Sequence, residues 1–317
     1  MSSNHGDAEP AHWSSYWARG CLTSLPQDFR ANYDGEIAGF WQRQFAGLPD
    51  GARILDVCTG NGAVALLAAG CARANNRRFH ITGIDAARID PEAIRRQHPD
   101  LEDLVSRIDF ESGCRFEQFD PSGAGFDLLV SQYGIEYCDW ESAAARASEL
   151  LRPGGRLAFV SHAVTTDILK TMEAECREYD ELVRLQVLPG MRAWANEEIG
   201  QARLRSILEK ALPELRREFN RTGSGLYRYV LDLGDKFLAA SEQAIKTHRG
   251  AFVSAQRQLD DGHARLRDLL EVNRAIAEAP DWVEAFTRNG LDAVESGSLH
   301  YRNSHRAGDY YVFQKPE

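Results

Sequence analysis

The sequence predicts an α/β fold: a mostly parallel sheet covered by helices on both faces and interrupted by an inserted helical segment. Three observations predict it. Apolar runs of strand length alternate with helical patterns from residue 53 to about residue 163, and repeated βα units of that size impose parallel strands. The first of these runs breaks into a glycine turn that opens directly onto a helix. Residues 164–279 hold no convincing strand, and apolar-aromatic runs return only after residue 280.

At 317 residues the chain is long enough for one large domain or two modest ones, and 43% hydrophobic with 26% charged residues is ordinary for a soluble globular protein. A net charge of −10 argues against a broad nucleic-acid face, which needs clustered Lys and Arg. Arg203, Arg205, Lys210, Arg216 and Arg217 could form a local basic patch, but the acids between them favour a solvated helix face. The first ten residues are polar, with neither a basic nor an apolar stretch of a signal peptide, and no run approaches the ~20 residues of a membrane span. A cytoplasmic protein with no nucleic-acid or membrane partner is expected. The six cysteines (21, 58, 71, 114, 138 and 176) form no Cys-x-x-Cys pair and no Cys/His cluster, so neither disulfides nor a metal site is expected.

Taken in order, residues 1–10 read as disordered, and residues 11–47 as an aromatic-rich arm. Trp13, Tyr16 and Trp17 share one helix face. The arm either packs on the main domain or forms a lid bordering a ligand, and the two are compatible. Residues 54–57 form a buried strand carrying one acid, Asp56, and Gly60-x-Gly62 turns into an apolar helix from Ala63. Such glycines let backbone approach a ligand, with the N–H groups of the first helical turn facing it. Residues 79–85 are a second strand ending on Asp85, 88–98 mix turn and helix signals with Pro91 suited to a first turn, and 107–110 are a weak third strand. A strong fourth strand spans 126–131, an amphipathic helix 140–151 is stopped by Pro153-Gly154-Gly155, and 156–161 form the fifth. Within 164–279, Ile168, Met172, Cys176, Tyr179 and Val183 keep helical spacing, and further helical runs lie near 196–218, 226–247 and 250–278. Pro189-Gly190 and 222–225 separate these runs. A short helix at 282–289 precedes two runs, 291–301 and 309–314, readable as an antiparallel pair. The domain organisation is therefore an arm (1–47), a main domain (48–163 with 280–317) and a helical insert (164–279) serving as a cap or for dimerisation.

In this order the motifs resemble those of the class I S-adenosylmethionine-dependent methyltransferases. Asp56-x-x-x-Gly60-Asn61-Gly62 looks like the family's first motif, Gly83-Ile84-Asp85 like its second-strand acid, and Phe126-Asp127-Leu128-Leu129-Val130-Ser131 like its fourth strand. Leu150-Leu151-Arg152-Pro153-Gly154-Gly155-Arg156-Leu157 resembles the approach to its fifth strand, and Tyr310-Tyr311-Val312-Phe313 its last. The resemblance covers about 53–163 and 280–317. It implies a Rossmann-like, doubly wound, seven-stranded sheet with the last strand antiparallel, and S-adenosylmethionine as methyl donor, leaving S-adenosylhomocysteine. Gly60-x-Gly62-x-x-Ala65 with Asp85 beyond it also satisfies a dinucleotide fingerprint. Asp56 inside the first strand and the Leu-Leu-x-Pro-Gly-Gly element favour the methyltransferase. Two departures stand out: Cys58 replaces a common glycine, and Cys114-Arg115 replace the usual Asp-Ala pair near adenine.

Residue roles follow from position. Asp85, at the carboxyl edge, can accept both ribose hydroxyl hydrogens. Asp56 anchors the loop or binds the donor's ammonium, while Gly60, Asn61 and Gly62 face the ligand through backbone. Cys114 and Arg115 border adenine, and Ser131 and Gln132 the donor beyond the fourth strand. Tyr133 and Tyr137 can turn ring faces to a sulfonium. Glu136 orients an acceptor N–H or O–H, or is simply a helix-start acid. His162 follows the fifth strand, where it can take the acceptor's proton or only position it. His80, inside a strand, should be packed. Tyr16, Trp17 and Tyr137 border the substrate. The function expected is methyl transfer to an oxygen or nitrogen of a small molecule. A protein methyltransferase (less so an RNA one) and a catalytically silent donor-binding subunit remain open.

Overall fold

The computed structural model describes residues 10–24, 29, 31–121, 123, 125–302 and 305–317. Apart from Pro10, the stretch expected to be disordered lies outside the described residues. The chain forms two compact units, Met1–Thr165 with Val272–Glu317, and Thr166–Glu271.

The first unit begins with α1 (Ala11–Trp17) and α2 (Gly35–Ala46). It continues through β1 (Arg53–Val57), α3 (Ala63–Ala74), β2 (His80–Asp85), α4 (Pro91–Gln97), α5 (Glu102–Val105), β3 (Ile108–Ser112), β4 (Phe126–Gln132), α6 (Trp140–Leu150) and β5 (Leu151–Ser161). The second unit holds α7 (Thr166–Arg184), α8 (Val187–Ala195), α9 (Gln201–Thr222), α10 (Gly225–Ala239), α11 (Glu242–Thr247) and most of α12 (Arg249–Glu278). The chain then completes the first unit with α13 (Glu284–Arg288), β6 (Asp292–Tyr301) and β7 (His305–Gln314).

The seven strands run in the order β3-β2-β1-β4-β5-β7-β6, with β1 to β5 mutually parallel and β7 antiparallel to both of its neighbours. This is the doubly wound Rossmann-like sheet that the motifs implied. Alternation along the strands sorts the core into two layers. Ile54, Leu128, Val130, Ala158 and Val160 pack with residues of α2 and α3, whereas Leu55, Val57, Leu129, Leu157 and Phe159 pack with residues of α6 and α13.

The arm is not uniform. In α2, Ile37, Phe40, Trp41 and Phe45 are fully buried on one helix face, so this helix is part of the sheet's own core. Each such side chain contributes about 1.5–3 kcal/mol by leaving water.

Other details differ from the sequence reading. The third strand extends to Ser112, where it pairs with Asp85. His80 opens β2 and is exposed, because a first strand residue at the open end meets no covering helix. The fifth strand starts at Leu151, and the glycines after it sit at a register shift against β4. Pro189 and Gly190 lie in the first turn of α8, where a missing N–H costs no helical bond. The run near 226–247 divides at Ser241, whose side chain caps α11.

The second unit has its own apolar core, including Leu182, Leu188, Leu204, Leu215 and Phe237. Trp194, Phe237 and Phe252 pack edge to face inside it. Among the described residues no helix is long and apolar enough to cross a membrane.

Candidate active site

The glycine loop between β1 and α3 is held from below by Asp56. Its carboxylate is 1% exposed, and Oδ2 accepts the Thr59 hydroxyl at 2.6 Å and the Ala65 N–H at 3.0 Å. One first-turn N–H of α3 is thus taken by an acid within the chain, which satisfies an orphan donor and suits the helix dipole. Burial pushes Asp56 up to about 7, against the bonds from Thr59 and Ala65.

Asp85 closes the loop from the side. It receives the Gly60 N–H on Oδ2 and the Ala87 N–H on Oδ1, both at 2.8 Å, and burial pushes it up to about 6 against these two bonds. Cys114 sits beside it, donating its N–H to the Asp85 carbonyl at 2.9 Å, with Arg115 next in the chain. Gly60 and Gly62 have φ of +53° and +78°. A Cβ on Gly60 would lie 2.5 Å from the Trp17 ring, and one on Gly62 would lie 2.8 Å from the Phe110 ring. The loop therefore needs both glycines for backbone shape and for close approach.

The space at Gly60 is occupied by the chain itself. Trp17 and Tyr16 are buried with Ala87, and the Tyr16 hydroxyl donates to the Thr23 carbonyl at 2.7 Å. Asn61, fully buried, donates its amide to the carbonyls of Trp17 and Cys21, each at 2.8 Å. The Ser14 hydroxyl accepts the Arg88 N–H at 2.8 Å, and Trp13 meets Tyr137 edge to face at 6.3 Å. The arm is thus tied to the loops that follow β1, β2 and β4.

Beyond β4 lies the acid–histidine pair. Glu136, in a short 3₁₀ turn (Ile135–Tyr137), has a fully buried side chain. Its Oε1 accepts both the His162 Nδ1–H at 2.7 Å and the His162 backbone N–H at 3.0 Å. His162 is 19% exposed and stands against Tyr133 at 4.8 Å and Tyr137 at 6.0 Å between ring centroids. Tyr133, at φ +54°, donates its hydroxyl to the Ala307 carbonyl at 2.7 Å. An acid holding Nδ1 fixes the tautomer that leaves Nε2 able to accept a proton.

The structure therefore gathers Glu136, His162, Tyr133 and Tyr137, and separately Gly60, Asp85, Cys114 and Arg115. Two residues turn elsewhere. The Ser131 hydroxyl bonds the Val57 carbonyl (2.8 Å) and the Ile135 N–H (3.0 Å), stitching β4's turn to β1. The Gln132 side chain accepts from the Trp41 indole of α2. Sequence reasoning missed Thr59, the partner of Asp56, and Tyr33, whose ring meets Tyr133 at 6.5 Å. Thr59 lay within the loop motif and could have been found as a hydroxyl three residues after the acid. Nothing local marks Tyr33.

The residues present fit S-adenosylmethionine. Asn61 Oδ1, Gln132 Nε2 and Glu136 Oε2 are buried at this carboxyl edge with no hydrogen-bond partner among the described residues, an arrangement that a polar ligand completes. Asp85 keeps lone pairs beyond its two backbone bonds, free to accept further hydroxyl hydrogens.

The family model for a methyltransferase domain matches residues 29–221. A release factor glutamine methyltransferase from Bacteroides thetaiotaomicron is 25% identical over 154 residues, 39% of this chain and 53% of that protein. The chain thus spans about half the length of that curated relative. Among solved structures, the N-methyltransferase NodS from Bradyrhizobium japonicum WM9, in complex with S-adenosylhomocysteine, is similar with a TM-score of 0.45 and 16% identity. That likeness covers 96% of this chain and 100% of that one. A TehB-like SAM-dependent methyltransferase from Corynebacterium glutamicum gives 0.42 and 15%, covering 96% and 99%. With a methyltransferase-domain match across most of the chain and the motifs set at the carboxyl edge of a Rossmann-like sheet, this chain belongs to the class I S-adenosylmethionine-dependent methyltransferases.

Proposed function

We propose that this enzyme moves the methyl group of S-adenosylmethionine to an oxygen or nitrogen of a small molecule. The observation that carries the reading is the Glu136–His162 pair, a base held ready where the fifth strand ends. An acceptor O–H or N–H must lose its proton as its lone pair attacks carbon, and a carboxylate-oriented imidazole takes it at Nε2.

In this reading Asp85 holds the ribose, and the backbone of Gly60, Asn61 and Gly62 faces the methionyl part. Cys114 and Arg115 border adenine, while Ser131 and Gln132 frame the turn beyond β4. The bound donor supplies an electrophilic methyl group on a cationic sulfur. Tyr133 and Tyr137 turn rings toward that region and exclude water, since an in-line displacement depends chiefly on alignment. Trp17, with Tyr16 behind it, acts as a lid held by Asn61. The helical segment pairs two copies of the chain. The reading uses no metal, and it places the enzyme in the cytoplasm without a nucleic-acid or membrane partner.

The test combines calorimetry with S-adenosylhomocysteine and methyl transfer from labelled S-adenosylmethionine to the small-molecule fraction of a cell extract. Donor-product binding with a labelled O- or N-methylated product supports the proposal. Binding with label only on protein would move the acceptor to a polypeptide, and binding without any transfer would make the chain a silent subunit.

A further inference from the structure

Two thiols face each other in the donor site, and neither the fold nor the proposed reaction uses them. Cys58 follows β1 in the donor loop, and Cys138 follows the turn that carries Glu136 and Tyr137. Their sulfurs are 4.0 Å apart, on two half-buried residues.

The backbone at Cys58 adds a second observation. Its φ is +55°, in the left-handed region that a side chain occupies only at a cost. A glycine would hold this turn without that cost, yet a thiol stands here. Its seat is also shaped by a neighbour, since a Cβ on Gly134 would fall 2.4 Å from the Cys58 Cβ. Strain kept at a position that brings one sulfur against another points to a use for the sulfur.

We propose that Cys58 and Cys138 form a disulfide under hydroperoxide and that this bond shuts off donor binding. The proposal rests on the donor-site reading above. In the first step Cys58 or Cys138 attacks the peroxide: an S–O bond forms, the O–O bond breaks, and water or an alcohol leaves. In the second step the other thiol displaces hydroxide from the sulfenic sulfur, an S–S bond forms and a second water leaves. The thiol pair gives up two electrons and the hydroperoxide takes them.

Bonding draws the sulfurs from 4.0 Å to about 2 Å. The pull falls on the residue before Thr59 and Gly60, which hold Asp56 and Asp85, and on the turn that carries Glu136. Donor loop and acceptor-side turn are then covalently joined. The hydrogen bond with Cys138 and burial hold the Cys58 thiol well above its usual range. The bond from Cys58 draws Cys138 down, but burial and nearby acids more than offset it. The resting state is therefore the neutral dithiol, and the switch answers sustained rather than fleeting oxidant.

The experiment treats the full chain with hydrogen peroxide, maps the Cys58–Cys138 peptide by mass spectrometry, and measures S-adenosylhomocysteine affinity before and after. The expected result is a cross-linked peptide with affinity lowered about tenfold or more. Dithiothreitol should restore it, and Cys138→Ser and Cys138→Ala should bind equally with and without peroxide. Both thiols remaining free, or a cross-link with unchanged affinity, overturns the proposal. A reduced protein that never binds S-adenosylhomocysteine overturns instead the donor-site reading beneath it.

Discussion

Glu136 Oε1 accepts two hydrogen bonds from one residue, the side-chain and backbone N–H groups of His162, at 2.7 and 3.0 Å. That double hold fixes ring and main chain to one oxygen, so the imidazole cannot swing away from the sheet edge without losing the bond at Nδ1. Replacing the acid by an amide keeps the shape but removes the charge that stabilises an imidazolium. Glu136→Gln is expected to lower kcat by roughly 10²-fold, with S-adenosylhomocysteine affinity within about twofold. Steady-state kinetics and calorimetry on the same preparation check it. An equal loss of binding would make the pair structural.

Asp85 gives a pH dependence with a definite sign. In the proposed function, ribose hydroxyls donate to the ionised carboxylate of Asp85, which burial pushes up to about 6. Donor-product affinity should therefore be level above pH 7 and fall as pH drops through 6, approaching about tenfold per unit below it. Asp85→Asn should bind weakly and with a flat profile. Calorimetry from pH 5 to pH 8 decides it, and a flat wild-type profile contradicts the role.

Asp56 acts on stability. Its carboxyl is raised from about 4 to about 7 in the folded chain, so the native state holds the proton more tightly than the unfolded one. The stability this provides is full below pH 4 and lost as pH rises through 7. Asp56→Asn keeps an oxygen for Thr59 and Ala65 without the buried charge. Thermal melts should show the variant at least as stable as wild type at pH 8, with a shallower fall between pH 5 and pH 8. A large loss of stability at pH 8 would count against this account.

Asn61 ties the arm to the loop through two buried bonds. Asn61→Ala leaves the Trp17 and Cys21 carbonyls without those donors, a loss of about 1–3 kcal/mol. Tryptophan emission should shift to the red and donor-product affinity should fall. Unchanged emission would show that Trp17 keeps its place over Gly60 without the latch.

Much of the sheet was legible because its signals are local. The acid at 56, the glycines at 60 and 62 and the acid at 85 follow strand ends, and parallel pairing then brings Asp85 to Gly60. What stayed hidden depends on distant pairings. The Trp41 indole meets Gln132 from far along the chain, which no periodicity announces, and it places α2 in the core of the sheet. Asn61 looked like part of a ligand-facing backbone, yet its side chain serves the arm. Cys58 was visible as an oddity in the loop, but Cys138 beside it was not, because the two meet only once β4 lies next to β1.

The proposal that His162, oriented by Glu136, takes a proton from an acceptor beside a donor held by Asp85 is tested most directly by methyl transfer from labelled S-adenosylmethionine to the small-molecule fraction of a cell extract. Product mass should be read for wild type, Glu136→Gln and Asp85→Asn. The account predicts an O- or N-methylated small molecule from wild type, sharply less from Glu136→Gln with donor binding intact, and none from Asp85→Asn at donor levels that saturate wild type. Equal product from wild type and Glu136→Gln would contradict it.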